Sequence, residues 1–203
     1  MARRALWGVL AAVLIVVAAR AFTPRPAPSA TPASLPAAEA PPVLGTTPAF
    51  DLTDQNNRPF ASSALAGKIW VADFIFTSCA GICPIMTGQM AGLQERLPET
   101  VGLISFSVDP ERDLPEVLRV YAERHGARYP RWRFLTGEPE EIRRISEEGF
   151  RLGAAEAEEG PIIHSTRFVL VDHSGQVRGY YDGTDPAAVE QLVQATHTLL
   201  EQG

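Results

Sequence analysis

Positive charge is scarce where a nucleic-acid partner would need it. Residues 49–203 carry 14 basic and 23 acidic side chains with no basic stripe, which argues against binding to nucleic acid. Internal repeats are absent, so this region reads as one domain of about 155 residues, enough for a real core. Long apolar runs are missing too. The longest uncharged apolar stretch, Ala5–Ala19, has fifteen residues. As a helix it would span about 22 Å, against a hydrocarbon core of roughly 30 Å. Cysteine is scarce as well: Cys79 and Cys83 are the only two in the chain.

The N-terminus nonetheless has the marks of export. A basic "MARR" precedes the apolar run, and Arg20 can snorkel so that the run extends to Phe22. With its positive flank on the inside, 1–22 reads as a membrane anchor. The "ARA" at 19–21 offers the alternative of a cleaved signal peptide. Residues 23–48 hold eight prolines among Ala, Ser and Thr, a composition that favours extended chain over a packed core. They read as a Pro/Ala-rich linker between the membrane and a domain at 49–203. Outside the cytosol the two thiols are open to oxidation.

Hydrophobic patterning orders that domain. "AFDLTDQNNRPFASS" predicts a short hairpin around an Asp/Gln/Asn turn. "IWVADFIF" at 69–76 is apolar on both faces, as a central strand is. A helix is expected from about Pro84 to Leu97, and a second buried strand in "VGLISFSV" at 101–108. Asp113 with Glu116 reads as the capped start of a helix that stops at Gly126. "RWRFLTG" predicts a third strand and "EPEEIRRISEE" another helix. A hairpin of "TRFVLVD" and "QVRGYYDG" follows, then a terminal helix from about Pro186. This order predicts an α/β fold with a central mixed sheet flanked by helices and an N-terminal hairpin extension. Cysteines at the junction of the first central strand and its helix place it among thioredoxin-like folds.

Two thiols with three residues between them can form a structural disulfide, a dithiol redox centre or a soft-metal site. The N–H groups and partial positive charge of a helix N-terminus stabilise a thiolate, and Pro84 suits the first helical turn. Redox motifs of the thioredoxin type have two intervening residues; here there are three. The wider loop lets both sulfurs point one way, a soft pair suited to Cu(I). A neutral imidazole would complete the set. His125 sits at a helix C-terminus, His173 in a hairpin turn and His197 on the terminal helix. His164 precedes the strand that opens the final hairpin, where a thioredoxin-like sheet would carry it to the thiols.

"FTSCAGICP", "SVDPERD", "FLTG" and "IIHSTRFVLVDHSGQV", in this order across 49–203, resemble the Sco/SenC family of copper chaperones for cytochrome c oxidase assembly. The resemblance implies that Cys79, Cys83 and His164 bind one copper, as Cu(I) or Cu(II). It also implies delivery to the dinuclear copper centre of oxidase subunit II, or reduction of that centre's cysteines before loading. A copper donor or thiol reductant would then be a further partner. Asp109 falls in the "SVDP" segment that the family links to the surroundings of the metal site.

Two features depart from the family pattern. Ala80-Gly81-Ile82 stands where many members have a proline and an acidic residue, which leaves a looser, more apolar loop. Asp73, six residues before Cys79, alternates with Ile69, Val71 and Ile75 and should face the same buried side. It resembles the buried proton-accepting aspartate of thioredoxin, and burial should raise its pKa towards that of a general base. Asp73 with Cys79 and Cys83 therefore keeps open a metal-free thiol–disulfide oxidoreductase. Thr77 before Cys79 echoes a peroxidase arrangement, but the loop has no arginine to mark a peroxide pocket. Met86 and Met90, spaced i, i+4, read as core packing rather than copper ligands.

Overall fold

Apolar residues on both faces make "IWVADFIF" a central strand, and β4 (Trp70–Ile75) is buried at every position. In this computed structural model, which describes residues 40–151 and 165–202, β4 pairs in parallel with β5 (Gly102–Ser107). Next to β5, also parallel, runs β6 (Trp132–Thr136). On the other side of β4 comes the antiparallel hairpin of β7 (Arg167–Val171) and β8 (Gln176–Asp182). The N-terminal hairpin, β2 (Asp51–Asp54) with β3 (Pro59–Ala61), extends the sheet beyond β6. A two-residue strand, β1 (Gly45–Thr46), closes the other edge, giving the order β1-β8-β7-β4-β5-β6-β2-β3.

Successive side chains of a strand point to opposite faces, and β4 divides accordingly. Val71 and Ile75 join the core beneath helices α1 (Ile82–Arg96), α2 (Pro115–Arg124) and α4 (Pro186–Gln202), with Met90, Leu118 and Leu192. Trp70, Ala72 and Phe74 join the opposite core with Ile142 of the short helix α3 (Pro139–Arg144). On that side Phe106 stacks on Phe74 at 5.1 Å and meets Phe50 edge-on at 5.3 Å. Truncating such a fully buried ring costs about 3–5 kcal/mol. The α/β mixed sheet with helices on both faces and an N-terminal hairpin is thus the architecture expected.

Two elements differ in detail. The helix read as starting at Asp113 begins at Pro115, with Leu114 as its N-cap and no side-chain cap. Asp113 is not available as a cap because its carboxylate is bonded to Thr77 and Ser107. The helix does stop as expected, with Gly126 at φ +70, a conformation that costs glycine little. After α3 the chain widens into a π-helical turn, Ile145–Gly149, which leads Phe150 into the aromatic cluster.

Residues 40–48, at the end of the stretch read as a spacer, lie against the sheet. Arg178 donates to Pro41 O, and Thr47 Oγ1 donates to Gly175 O at 3.0 Å. Pro48 packs so close to Gly149 that a Cβ there would stand 2.4 Å away. The remainder of the spacer and the segment read as an anchor lie outside the described residues. Among the described residues, no helix is long and apolar enough to cross a membrane.

Candidate metal and thiol centre

The cysteines leave the C-terminal end of β4 in a tight turn. Cys79 N–H donates to Phe76 O at 3.3 Å, enclosing Thr77 and Ser78. Helix α1 then starts at Ile82 with Gly81 as N-cap, and Pro84 occupies its first turn as expected. Both cysteines are free thiols, Cys79 half-buried and Cys83 only 3% exposed in the core beneath α1. One helical turn on, Thr87 Oγ1 donates to Cys83 O at 2.8 Å and accepts from Tyr121 Oη at 2.9 Å.

Backbone geometry makes the two thiols unequal. Cys83 N–H reaches Cys79 Sγ at 3.5 Å. Burial works against a thiolate at Cys79. The N–H groups of Cys83, Gly81 and Ile82, with the Cys83 thiol, outweigh it and hold Cys79 below its ordinary range. Burial pushes Cys83 up to about 12; the Phe76 backbone offsets part of this, while negative charge on Cys79 and Asp73 adds to it. Of the two, Cys79 is the more easily ionised thiol.

Asp73 faces the α1 side, between Val71 and Ile75, and is wholly buried. Among the described residues, neither of its carboxylate oxygens has a partner at hydrogen-bonding distance. Burial therefore raises it to about 7, and Ser105, opposite it on β5, eases the ionised form only in part. Its charge acts on both Cys83 and Tyr121, whose hydroxyl burial drives up to about 12. The buried carboxyl foreseen from the alternation thus shares a site with the thiols.

Other candidates fall elsewhere. Met86 and Met90 are fully buried core residues. His125 caps α2 beside the Tyr121 ring, and His173 and His197 are exposed. Asp109 lies in the loop two residues after β5, where its carboxylate pairs with Arg112 at 3.2 Å. His164 lies outside the described residues. The next residue, Ser165, is buried, and Thr166 O accepts from Gly183 N–H. Because β7 runs antiparallel to β4, the start of β7 lies at the end of the sheet from which the cysteine loop departs. Among the described residues no three His, Cys, Asp or Glu side chains are placed to hold a metal ion, so Asp73 does not complete a set with the cysteines.

Asp113 is the site residue that the sequence reading misses. Its carboxylate is fully buried and accepts from Thr77 N–H at 3.0 Å, Thr77 Oγ1 at 2.5 Å and Ser107 Oγ at 2.6 Å. Its motif "SVDPERD" is visible in the sequence, but the pattern Asp-x-x-Glu points to a helix cap instead.

A model of the SCO1/SenC family matches residues 39–201. A SCO1/SenC family lipoprotein from Bacillus anthracis str. Ames is 36% identical, with a TM-score of 0.71 over 80% of this chain and 99% of its own. BsSco, described as a member of the Sco family of cytochrome c oxidase assembly proteins with a disulfide switch, is 32% identical. It has a TM-score of 0.67 over 79% of this chain and 98% of its own. Bradyrhizobium japonicum ScoI, solved with copper bound, is 25% identical with a TM-score of 0.59, over 76% of this chain and 99% of its own. On that match across nearly the whole described domain, the chain belongs to the SCO1/SenC family.

Proposed function

We propose that this chain is a membrane-tethered copper chaperone acting outside the cytoplasm. It carries one copper per chain and delivers it to the dinuclear site of cytochrome c oxidase subunit II, or reduces that site's cysteines for loading. The observation that carries this reading is the pair of free thiols at a helix N-terminus, one of them held below its ordinary pKa. A copper-bound relative and an oxidase-assembly relative support it.

The ligands in this reading are Cys79, Cys83 and His164. Cys79, held below its ordinary pKa, is the more readily ionised of the two thiols and makes the first bond to the incoming cation. Cys83 gives up its proton as the metal binds, since the thiolate is the ligand and metal binding releases protons. An imidazole from His164 completes a three-donor site and widens its tolerance from Cu(I) to Cu(II). Thr87 and Tyr121 hold the Cys83 turn while the solvent-facing Cys79 exchanges metal with a donor or an acceptor. Copper titration of the reduced full-length chain tests the reading: one tightly held copper per chain is expected, and none would overturn it.

The tether rests on the apolar N-terminus, and a relative described as a lipoprotein agrees with attachment to a membrane. Protein isolated from native membranes should keep residues 1–22 by mass spectrometry; a mature N-terminus near Phe22 would remove the tether.

A second reading, an exported thiol–disulfide oxidoreductase without metal, is favoured by one observation. Asp73 is wholly buried, and its charge acts on Cys83, as that of a proton acceptor in thiol exchange would.

A further inference from the structure

We propose that Asp113 is a positioning residue for Cys79, which it holds in the dithiol arrangement by gripping Thr77. The inference rests on the dithiol being the working form of the site. Thr77 is the first residue inside the turn that Cys79 N–H closes on Phe76 O. Asp113 takes both of its donors, the N–H and the hydroxyl, one on each carboxylate oxygen. Ser107, from the end of β5, donates to the oxygen that binds the Thr77 N–H. Asp113 N–H in turn donates to Asp109 O at 2.8 Å, so its backbone is anchored to the loop after β5.

An ionised carboxylate is the one side chain that accepts all three bonds at once. An amide of the same shape offers a single accepting oxygen and turns two donors of its own towards Thr77 or Ser107. Among the described residues, no cation pairs with Asp113, so these three donors are its whole compensation. The end of β5 and the loop after it thus fix the turn that carries Cys79, while Thr87 of α1 holds the Cys83 carbonyl. Held in this turn, the Cys79 sulfur accepts the Cys83 N–H, a bond that a thiol or thiolate sulfur takes more strongly than a disulfide sulfur does. The latch therefore biases the pair towards the dithiol.

The test uses the metal-free full-length chain equilibrated with glutathione, trapping thiols and reading the oxidised fraction by mass. In this reaction the two thiols give two electrons and two protons to glutathione disulfide. The Cys79–Cys83 bond forms, and two glutathione thiols are released. Asp113→Asn and Thr77→Val should each shift the equilibrium constant towards the disulfide by about fivefold or more. Thr77→Ser, which keeps the hydroxyl, should stay within about twofold of the parent. The double variant should go no further than Asp113→Asn alone, as expected of residues acting through one contact. Should Asp113→Asn fail to fold, Thr77→Val decides the matter. A folded Thr77→Val variant with the parent equilibrium constant would overturn the proposal, as would additive effects in the double variant. Copper uptake by the parent is read in parallel. Its absence would overturn the chaperone reading, while the glutathione equilibrium still judges Asp113.

Discussion

The backbone N–H of Cys83 donates to the sulfur of Cys79, so the residue bearing the buried thiol stabilises the thiolate of the half-buried one. That bond exists because Cys83 lies in the first turn of α1, where N–H groups have no partner within the helix. Burial of the Cys83 sulfur behind it supplies the opposite effect on the second thiol.

Reactivity should follow this asymmetry. On the reduced chain, iodoacetamide at pH 7 should label Cys79 at least about tenfold faster than Cys83, because the thiolate is the reacting species. Peptide mass mapping over time reads the two rates. Equal labelling of both positions would contradict the assigned order.

Asp73 should leave a signature in stability. Its folded value of about 7 lies above its ordinary 3.8, so between these values the folded form keeps a proton that the unfolded chain has lost. Its contribution is complete below about pH 4 and is lost as pH rises through about 7. Asp73→Asn, which never ionises, should therefore match the parent near pH 4. By pH 8 it should exceed the parent by about 3 kcal/mol, or about 10 °C in Tm. Thermal melts at both pH values check this; a gap independent of pH would mean that the carboxyl is ionised throughout.

Oxidation should switch the site off. A disulfide has no thiolate to offer, so the Cys79–Cys83 bonded form should take up no copper, and reduction should restore loading. Thiol titration before and after copper addition tests this, and full loading of a verified disulfide form would refute it.

How much of this was legible in the sequence depended on how local the cause was. β4 and β5 announced themselves because strands covered on both faces are apolar throughout, and α1 was placed by the cysteines and Pro84 at its start. Asp73 was legible as a buried carboxyl because its alternation with Val71 and Ile75 is a period-two pattern. Asp113 was misassigned because an acidic residue before a helix looks the same whether it serves that helix or a loop from another strand. Only the fold brings Thr77 to it across 36 positions. The sheet contact of 40–48 was hidden for a similar reason: a two-residue strand has no alternation to read, and its partner is 132 residues away at Val177.

The central claim, a three-donor copper site at Cys79, Cys83 and His164, is tested most directly by copper retention against a chelator in His164→Ala. Dithiol exchange is measured on the same protein and on Asp73→Asn. Losing one of three donors should weaken retention by about 100-fold, about 3 kcal/mol, while exchange by the two untouched thiols continues. Asp73→Asn should show the converse, near-parent copper binding with slower exchange. If His164→Ala holds copper as tightly as the parent, the three-donor assignment is wrong and His164 is not a ligand.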